Sequence, residues 1–368
     1  MKRIRIKHIL IECCLLFVLG SACIHMKLRA DMTAGAMTND ANEEEGAAEE
    51  EDSYIKWVEF NVTYEALQHA YELDVGTYDA EIHLDWIELL AYLGAKYGGD
   101  FSKYKQEDMD AAAKVLTSGE ESVETLTASM GYYDYYQEAY GAVLDGMIGD
   151  YEMEKPVEGA TDSAESEWVQ EYGLKAFSPI AKGYGYSDYD DFGVSRSYGY
   201  QRNHLGHDMM GLVGTPIVAV ESGYVEVLGW NQYGGWRIGI RSFGGRRYYY
   251  YAHLRQNFPF NKSLEEGSVV TAGEVIGYMG HTGYSTEENV NNIDETHLHW
   301  GLQLIFDESQ KEGNNEIWVD CYALTRFLSQ NRSETWKEEE SKEYYRTYDM
   351  RDPSVVEYKN NSGSAAND

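Results

Sequence analysis

Beyond residue 30 the chain holds a single cysteine, Cys321; the other three, Cys13, Cys14 and Cys23, lie in an N-terminal apolar stretch. An intramolecular disulfide in the rest of the chain is therefore excluded, and stability has to come from packing or from a metal. A lone cysteine can be a nucleophile, but Cys321 sits in VDCYALTRFL, where Leu324, Phe327 and Leu328 mark the apolar face of a helix. A buried, inert thiol is expected. Positive charge is also scarce: 30 Lys and Arg stand against 63 Asp and Glu, a formal charge of −33. That balance removes the basic footprint of a nucleic-acid-binding protein. No second apolar run of membrane-spanning length follows the first.

What is present is enough to fold. The 368 residues allow about two domains at roughly 150 residues each, plus linkers. With 43% hydrophobic residues, 32 Tyr and 8 Trp, the chain is too aromatic to be disordered throughout.

Residues 1–30 have the layout of an export signal: MKRIRIK, then the apolar HILIECCLLFVLGSACI. The run is short and contains Glu12, but no clean small-x-small cleavage site follows, which favours a retained membrane anchor over a cleaved signal. LGSAC around Cys23 is a poor lipidation site, because Gly20 stands where a larger aliphatic residue is expected. The rest of the chain is then expected outside the cytoplasm. Residues 31–53, with ANEEEGAAEEED, read as an acidic spacer.

From 54 to 151 the pattern is helical, and four to five helices are expected. Trp86, Leu89, Leu90 and Leu93 fall at i, i+3, i+4 and i+7, and Gly98-Gly99 ends the run. Glu88 is read as a solvated helix residue, since the second carboxylate of a glycosidase cannot be identified. Residues 152–177 read as a second acidic linker. From 178 to 332 the period changes to two: TPIVAV, GYVEVLG, WRIGIRS, RYYYYAHL, GEVIGYMG and HLHWGLQL are short runs divided by glycine turns, an antiparallel all-β domain. The tail, 333–368, is charged and is expected to be disordered. The fold class expected is multidomain α+β, helical first and β second.

Six of the ten histidines lie between His204 and His299. In THLHW, His297 and His299 are two apart on a strand and share a face. In HLGHD, Gly206 and Gly211 disfavour a helix, so a loop is expected to bring His204 and Asp208 together. In YYYYAHL, Tyr249, Tyr251 and His253 are expected on one strand face. Two imidazole nitrogens and a carboxylate oxygen are a sound ligand set for zinc, with a fourth position left open. HExxH, the commonest helical layout, is absent.

Taken together and in this order, RNHLGHDMMGLVGTPIVAVESGYVEVLGW, YAHL, LEEGSVVTAGEVIGYMGHTGYS and HLHW resemble the lysostaphin-type M23 zinc endopeptidases over about residues 202–304. The resemblance implies one zinc held by His204, Asp208 and His299, with His253 and His297 catalytic and bacterial peptidoglycan peptides as substrate. His207 and His281 fall at variable positions and are read as loop residues outside the ligand set. Two departures are visible. STEENVNNIDE lengthens the loop before HLH, and Gly301 follows Trp300 where the family commonly has Glu. The competing reading is a catalytically silent wall-binding or partner-binding module, which in this family goes with loss of a zinc ligand; here none is lost.

Overall fold

The computed structural model describes residues 55–157, 166–197, 201–311 and 315–365. The anchor expected over 1–30, lipidation at Cys23 and the spacer 31–53 lie outside them. Among the described residues no helix is long and apolar enough to cross a membrane.

Helices come first and antiparallel strands second, as the periodicities imply. Five α-helices lie between Tyr64 and Leu144 among the described residues. The helix Trp86–Tyr97 shows why. Asp85 caps it by accepting from the Ile87 and Glu88 amides, a contribution of about 1 kcal/mol. Trp86, Leu89, Leu90 and Leu93 are all buried, and Gly98 ends the helix at φ 64°, where a side chain is disfavoured. Gly94 allows close packing on the helix Tyr133–Leu144: a Cβ there would lie 2.9 Å from the Tyr136 ring.

Residues Tyr54–Asp368 form one compact unit. Its main core runs without a break from Leu67 and Leu90 in the helices to Ile240, Tyr251 and Leu302 in the sheet. The helix Tyr322–Leu328 is the hinge of this packing, since Phe327 meets Tyr71 at 5.6 Å and Trp86 at 5.7 Å between ring centroids. Cys321, just before it, is buried as expected, its thiol pushed up by burial.

Two expectations fail here. Residues 152–177 are not a linker: Ile148–Pro156 and Ser166–Leu174 form an antiparallel hairpin. Alternation was present beneath the charge, because Tyr151 and Met153 pack on a small core while Glu152 between them pairs with Arg351. The tail, expected to be disordered from 333, is ordered through residue 365. Its strand Met350–Arg351 joins that hairpin. Asp352 pairs with Lys175 at 3.1 Å and accepts from Ser222 at 2.7 Å, and Tyr358 stacks on Phe243 at 4.4 Å.

The main sheet has eight strands. In spatial order they are Val269–Val270, Gly223–Asn231, Gly235–Ser242, Arg247–Ala252, His297–Leu304, His207–Met210 and Ser187–Asp188, with Ile317–Val319 also paired to His297–Leu304. The strand carrying HLH is therefore central. Its register sets Ala252 opposite His299 on one side and Asp208 opposite His299 on the other.

Candidate active site

That register brings the three sequence motifs into one row. His204 Nε2 lies 3.1 Å from Asp208 Oδ1 and 3.1 Å from His299 Nδ1, and His299 Nδ1 lies 2.8 Å from Asp208 Oδ1. Three ligand atoms thus converge in a triangle, two imidazole nitrogens and one carboxylate oxygen, the donor set of an open zinc site. Asp208 lies in the strand His207–Met210 rather than in the expected loop, and only His204 precedes it. Gly206 makes the convergence possible, because a Cβ there would stand 2.6 Å from His299 Cε1 and Nε2.

The ligand atoms are aimed from behind. Arg196 Nη1 donates to the other oxygen of Asp208 at 2.7 Å, and His204 Nδ1 faces Asp191 Oδ1 at 2.9 Å. The hydrogen bond of this Nδ1 goes to the Asp191 carbonyl at 3.3 Å, and an acceptor behind a candidate ligand histidine fixes its tautomer and makes it a better ligand. Burial opposes ionisation of Asp208, but the hydrogen bonds with His204 and His299 prevail and hold it well below the carboxylate range. Neither Arg196 nor Asp191 is marked by any sequence motif.

His253 and His297 flank the triangle, their rings 4.7 Å apart. His253 Nδ1 donates to Thr282 O at 2.9 Å and His297 Nδ1 to Glu295 O at 2.9 Å. A carbonyl can only accept, so each Nδ1 carries the proton and each Nε2 is left for chemistry. His297 Nε2 lies 3.8 Å from Asp208 Oδ1. Burial, with His297 and His299 alongside, holds the His253 imidazole well below the usual histidine range.

The expected shared face of Tyr249, Tyr251 and His253 does not form. Tyr249 and Tyr251 are fully buried in the core, whereas His253 lines the cleft beside Tyr248, Tyr250 and Ala252. The cause is a left-handed backbone at His253, φ 61°, which breaks the alternation just past the strand end. His207 is in a strand, not a loop; its Nε2 faces Asp188 at 3.1 Å and its ring stacks on Tyr322. His281 supports the long loop by donating from Nδ1 to Ile293 O at 2.7 Å. Both stay outside the ligand triangle.

The long loop, residues 285–295, forms one wall of the cleft, with Ser285, Thr286, Asn292, Ile293, Asp294 and Glu295 facing it. It is tied down rather than loose. Asn289 Oδ1 accepts from Trp236 Nε1 at 2.9 Å and from the Asn257 amide at 2.8 Å, and its carbonyl accepts from Gln256 at 2.6 Å. Shortening the loop to a few residues is expected to leave metal content intact while changing hydrolysis of different peptide substrates by unequal factors. Equal rates for native and shortened protein on every substrate would reduce the loop to an insertion.

On the opposite side, Gly301 leaves room for Trp318, whose ring a Cβ would meet at 2.8 Å. The family's common Glu would not fit beside this ring.

Residues 202–312 match the model of peptidase family M23. The L-Ala–D-Glu endopeptidase of Bacillus subtilis (strain 168) is 38% identical over 154 residues, covering 42% of this chain and 44% of that protein. Lysostaphin of Staphylococcus simulans is 32% identical over 133 residues, 36% of this chain and 23% of that protein. The chain thus spans less than half the length of these curated relatives. A crystal structure described as a candidate glycyl-glycine endopeptidase lytM from Ruminococcus gnavus aligns with TM-score 0.48 and 23% identity, over 76% of this chain and 92% of that one. With its motifs in order along the chain and adjacent in the sheet, the segment 202–312 is a peptidase family M23 domain.

Proposed function

We propose that the protein is an exported, membrane-anchored zinc endopeptidase that hydrolyses peptide bonds of bacterial peptidoglycan. The observation that carries the reading is the convergence of His204, Asp208 and His299 within about 3 Å of one another, beside two histidines with free Nε2 atoms. The named activities of two curated relatives support the substrate class: the L-Ala–D-Glu endopeptidase, and the glycyl-glycine endopeptidase ALE-1 of Staphylococcus capitis, 34% identical over 135 residues, 36% of this chain and 32% of that protein. The basic flank and apolar run at the N-terminus support export and anchoring.

His204, Asp208 and His299 would hold the metal, and the donor set fits zinc. Bound zinc supplies Lewis acidity for the scissile carbonyl and lowers the pKa of a water to about 7. The chain's own residues do the rest. His253 and His297 share the proton handling through Nε2: with the proton on Nδ1 each Nε2 accepts one, and only a ring protonated in this way donates from Nε2 to the carbonyl oxygen as it gains charge. Their Nδ1 anchors to backbone carbonyls hold both rings in place through the reaction. Retention of all five side chains in one cluster argues against the silent-module reading.

One zinc per chain is expected in the purified protein, and His299→Ala is expected to lose it. Metal analysis checks this, and an unchanged stoichiometry in the variant would overturn the ligand assignment. Incubation with purified peptidoglycan, with new termini identified by mass spectrometry, tests the activity itself.

A further inference from the structure

The cleft continues past the histidines along the outer face of the sheet, as a cavity of about 550 Å³. Its floor is Tyr248 and Tyr250, which lie over glycines: a Cβ at Gly239 would strike the Tyr248 hydroxyl at 2.0 Å, and one at Gly234 the Tyr250 hydroxyl at 2.1 Å. Tyr250 is edge-on to His299, ring centroids 5.9 Å apart, so this arm opens directly from the ligand triangle. Four cationic side chains line it: Arg196, Arg202, Arg237 and Lys311. Three are engaged. Arg196 binds Asp208 and Asp191, Lys311 pairs with Glu226 at 2.6 Å, and Arg202 lies over the Tyr233 and Tyr284 rings.

Arg237 is held by a hydrogen bond with Tyr250 and not by a carboxylate. Among the described residues no carboxylate pairs with it, and its buried Nε has no hydrogen-bond partner. The Glu316 carboxylate, which shares the cavity, accepts instead from Trp318 Nε1 at 2.8 Å. A guanidinium whose Nε is removed from water without a partner, in a protein with 63 acidic residues, points to an anion supplied from outside.

We infer that Arg237, beside Tyr250, recognises an acidic side chain of the substrate close to the scissile bond. The substrate is then an anionic, stem-type peptide rather than a neutral oligoglycine bridge. This rests on the endopeptidase reading and adds the substrate's charge to it. A planar guanidinium takes a carboxylate through two parallel hydrogen bonds, which a lysine cannot reproduce.

The test uses the zinc-loaded full chain and three peptides blocked at both ends: Ala-D-Glu-Lys, its side-chain amide Ala-D-Gln-Lys, and pentaglycine. Native protein is expected to prefer the acid over the amide by about 10- to 100-fold in kcat/KM, chiefly through KM, the range of a charge-assisted hydrogen bond. Arg237→Gln is expected to bring the ratio near one, and Arg237→Lys to restore part of it. Binding of the acid and the amide, followed by calorimetry, should show the same ratio without depending on turnover. Equal binding of the two by native protein, a ratio unmoved in Arg237→Gln, or preference for pentaglycine overturns the assignment. Cleavage of whole peptidoglycan with equal binding would leave the endopeptidase reading standing and Arg237 excluded. A binding preference without cleavage of peptidoglycan would do the reverse.

Discussion

His253→Ala and His297→Ala are each expected to lose peptide hydrolysis by about 100-fold or more while keeping their zinc. The two rings stand beside the ligand triangle, but their Nδ1 atoms are spent on the carbonyls of Thr282 and Glu295. Each therefore keeps one nitrogen, Nε2, to offer a substrate, and neither belongs to the cluster of His204, Asp208 and His299. Rates on purified peptidoglycan, set beside metal content for each variant, check the prediction. Native rates in both variants would remove both histidines from the reaction, no hydrolysis by the native protein would favour the silent-module reading, and loss of zinc in either variant would show that the proposed division between metal ligands and reacting histidines is drawn in the wrong place.

The second large effect concerns stability. Arg247 and Glu221 are both buried; Arg247 donates from Nε to Oε2 at 2.8 Å and from Nη2 to Oε1 at 2.9 Å. Tyr249 adds a hydrogen bond to Glu221 at 2.6 Å, and Arg247 Nη1 reaches Ala142 O at 3.2 Å, at the end of a helix. The pair thus ties the helical region to the sheet. Arg247→Met would leave Glu221 charged and without its partner inside the protein, at a cost of about 3–5 kcal/mol. The double variant Arg247→Met/Glu221→Leu removes both charges and is expected to recover a large part of that loss. Denaturant unfolding of the three proteins checks this. A single variant within about 1 kcal/mol of native would mean that water or a shifted side chain already compensates Glu221.

The clustering of the candidate site was legible because its geometry is local. His297 and His299 share a face by strand alternation alone, and HLGHD needs only Gly206 to pass the His299 ring. His253 was found by its motif but misplaced by periodicity, since nothing in YYYYAHL announces a left-handed residue after the strand. Arg196 and Asp191 escaped notice because they reach the site through tertiary folding, and a charged residue in a glycine-rich segment looks like surface. The hairpin at 148–174 was hidden by glutamates on its outer face, and the tail by charges between Tyr344, Met350 and Tyr358, the residues that dock it. In the hairpin the apolar signal fell on alternate residues among glutamates, and in the tail on residues six and eight apart, too sparse in both to outweigh composition.

The joining of Phe327 to Tyr71 and Trp86 also sets an order of events during synthesis. The five helices leave the ribosome long before the segment that completes their core. Gln310 must still arrive to bond the Ile55 carbonyl, at 2.9 Å, and Gln330 to bond Gln68, at 3.0 Å. Contacts between such distant parts of a chain form late and slowly. The nascent helices therefore wait with an apolar face uncovered, and a chain stopped short of Phe327 is left with an adhesive surface instead of a finished amino-terminal half.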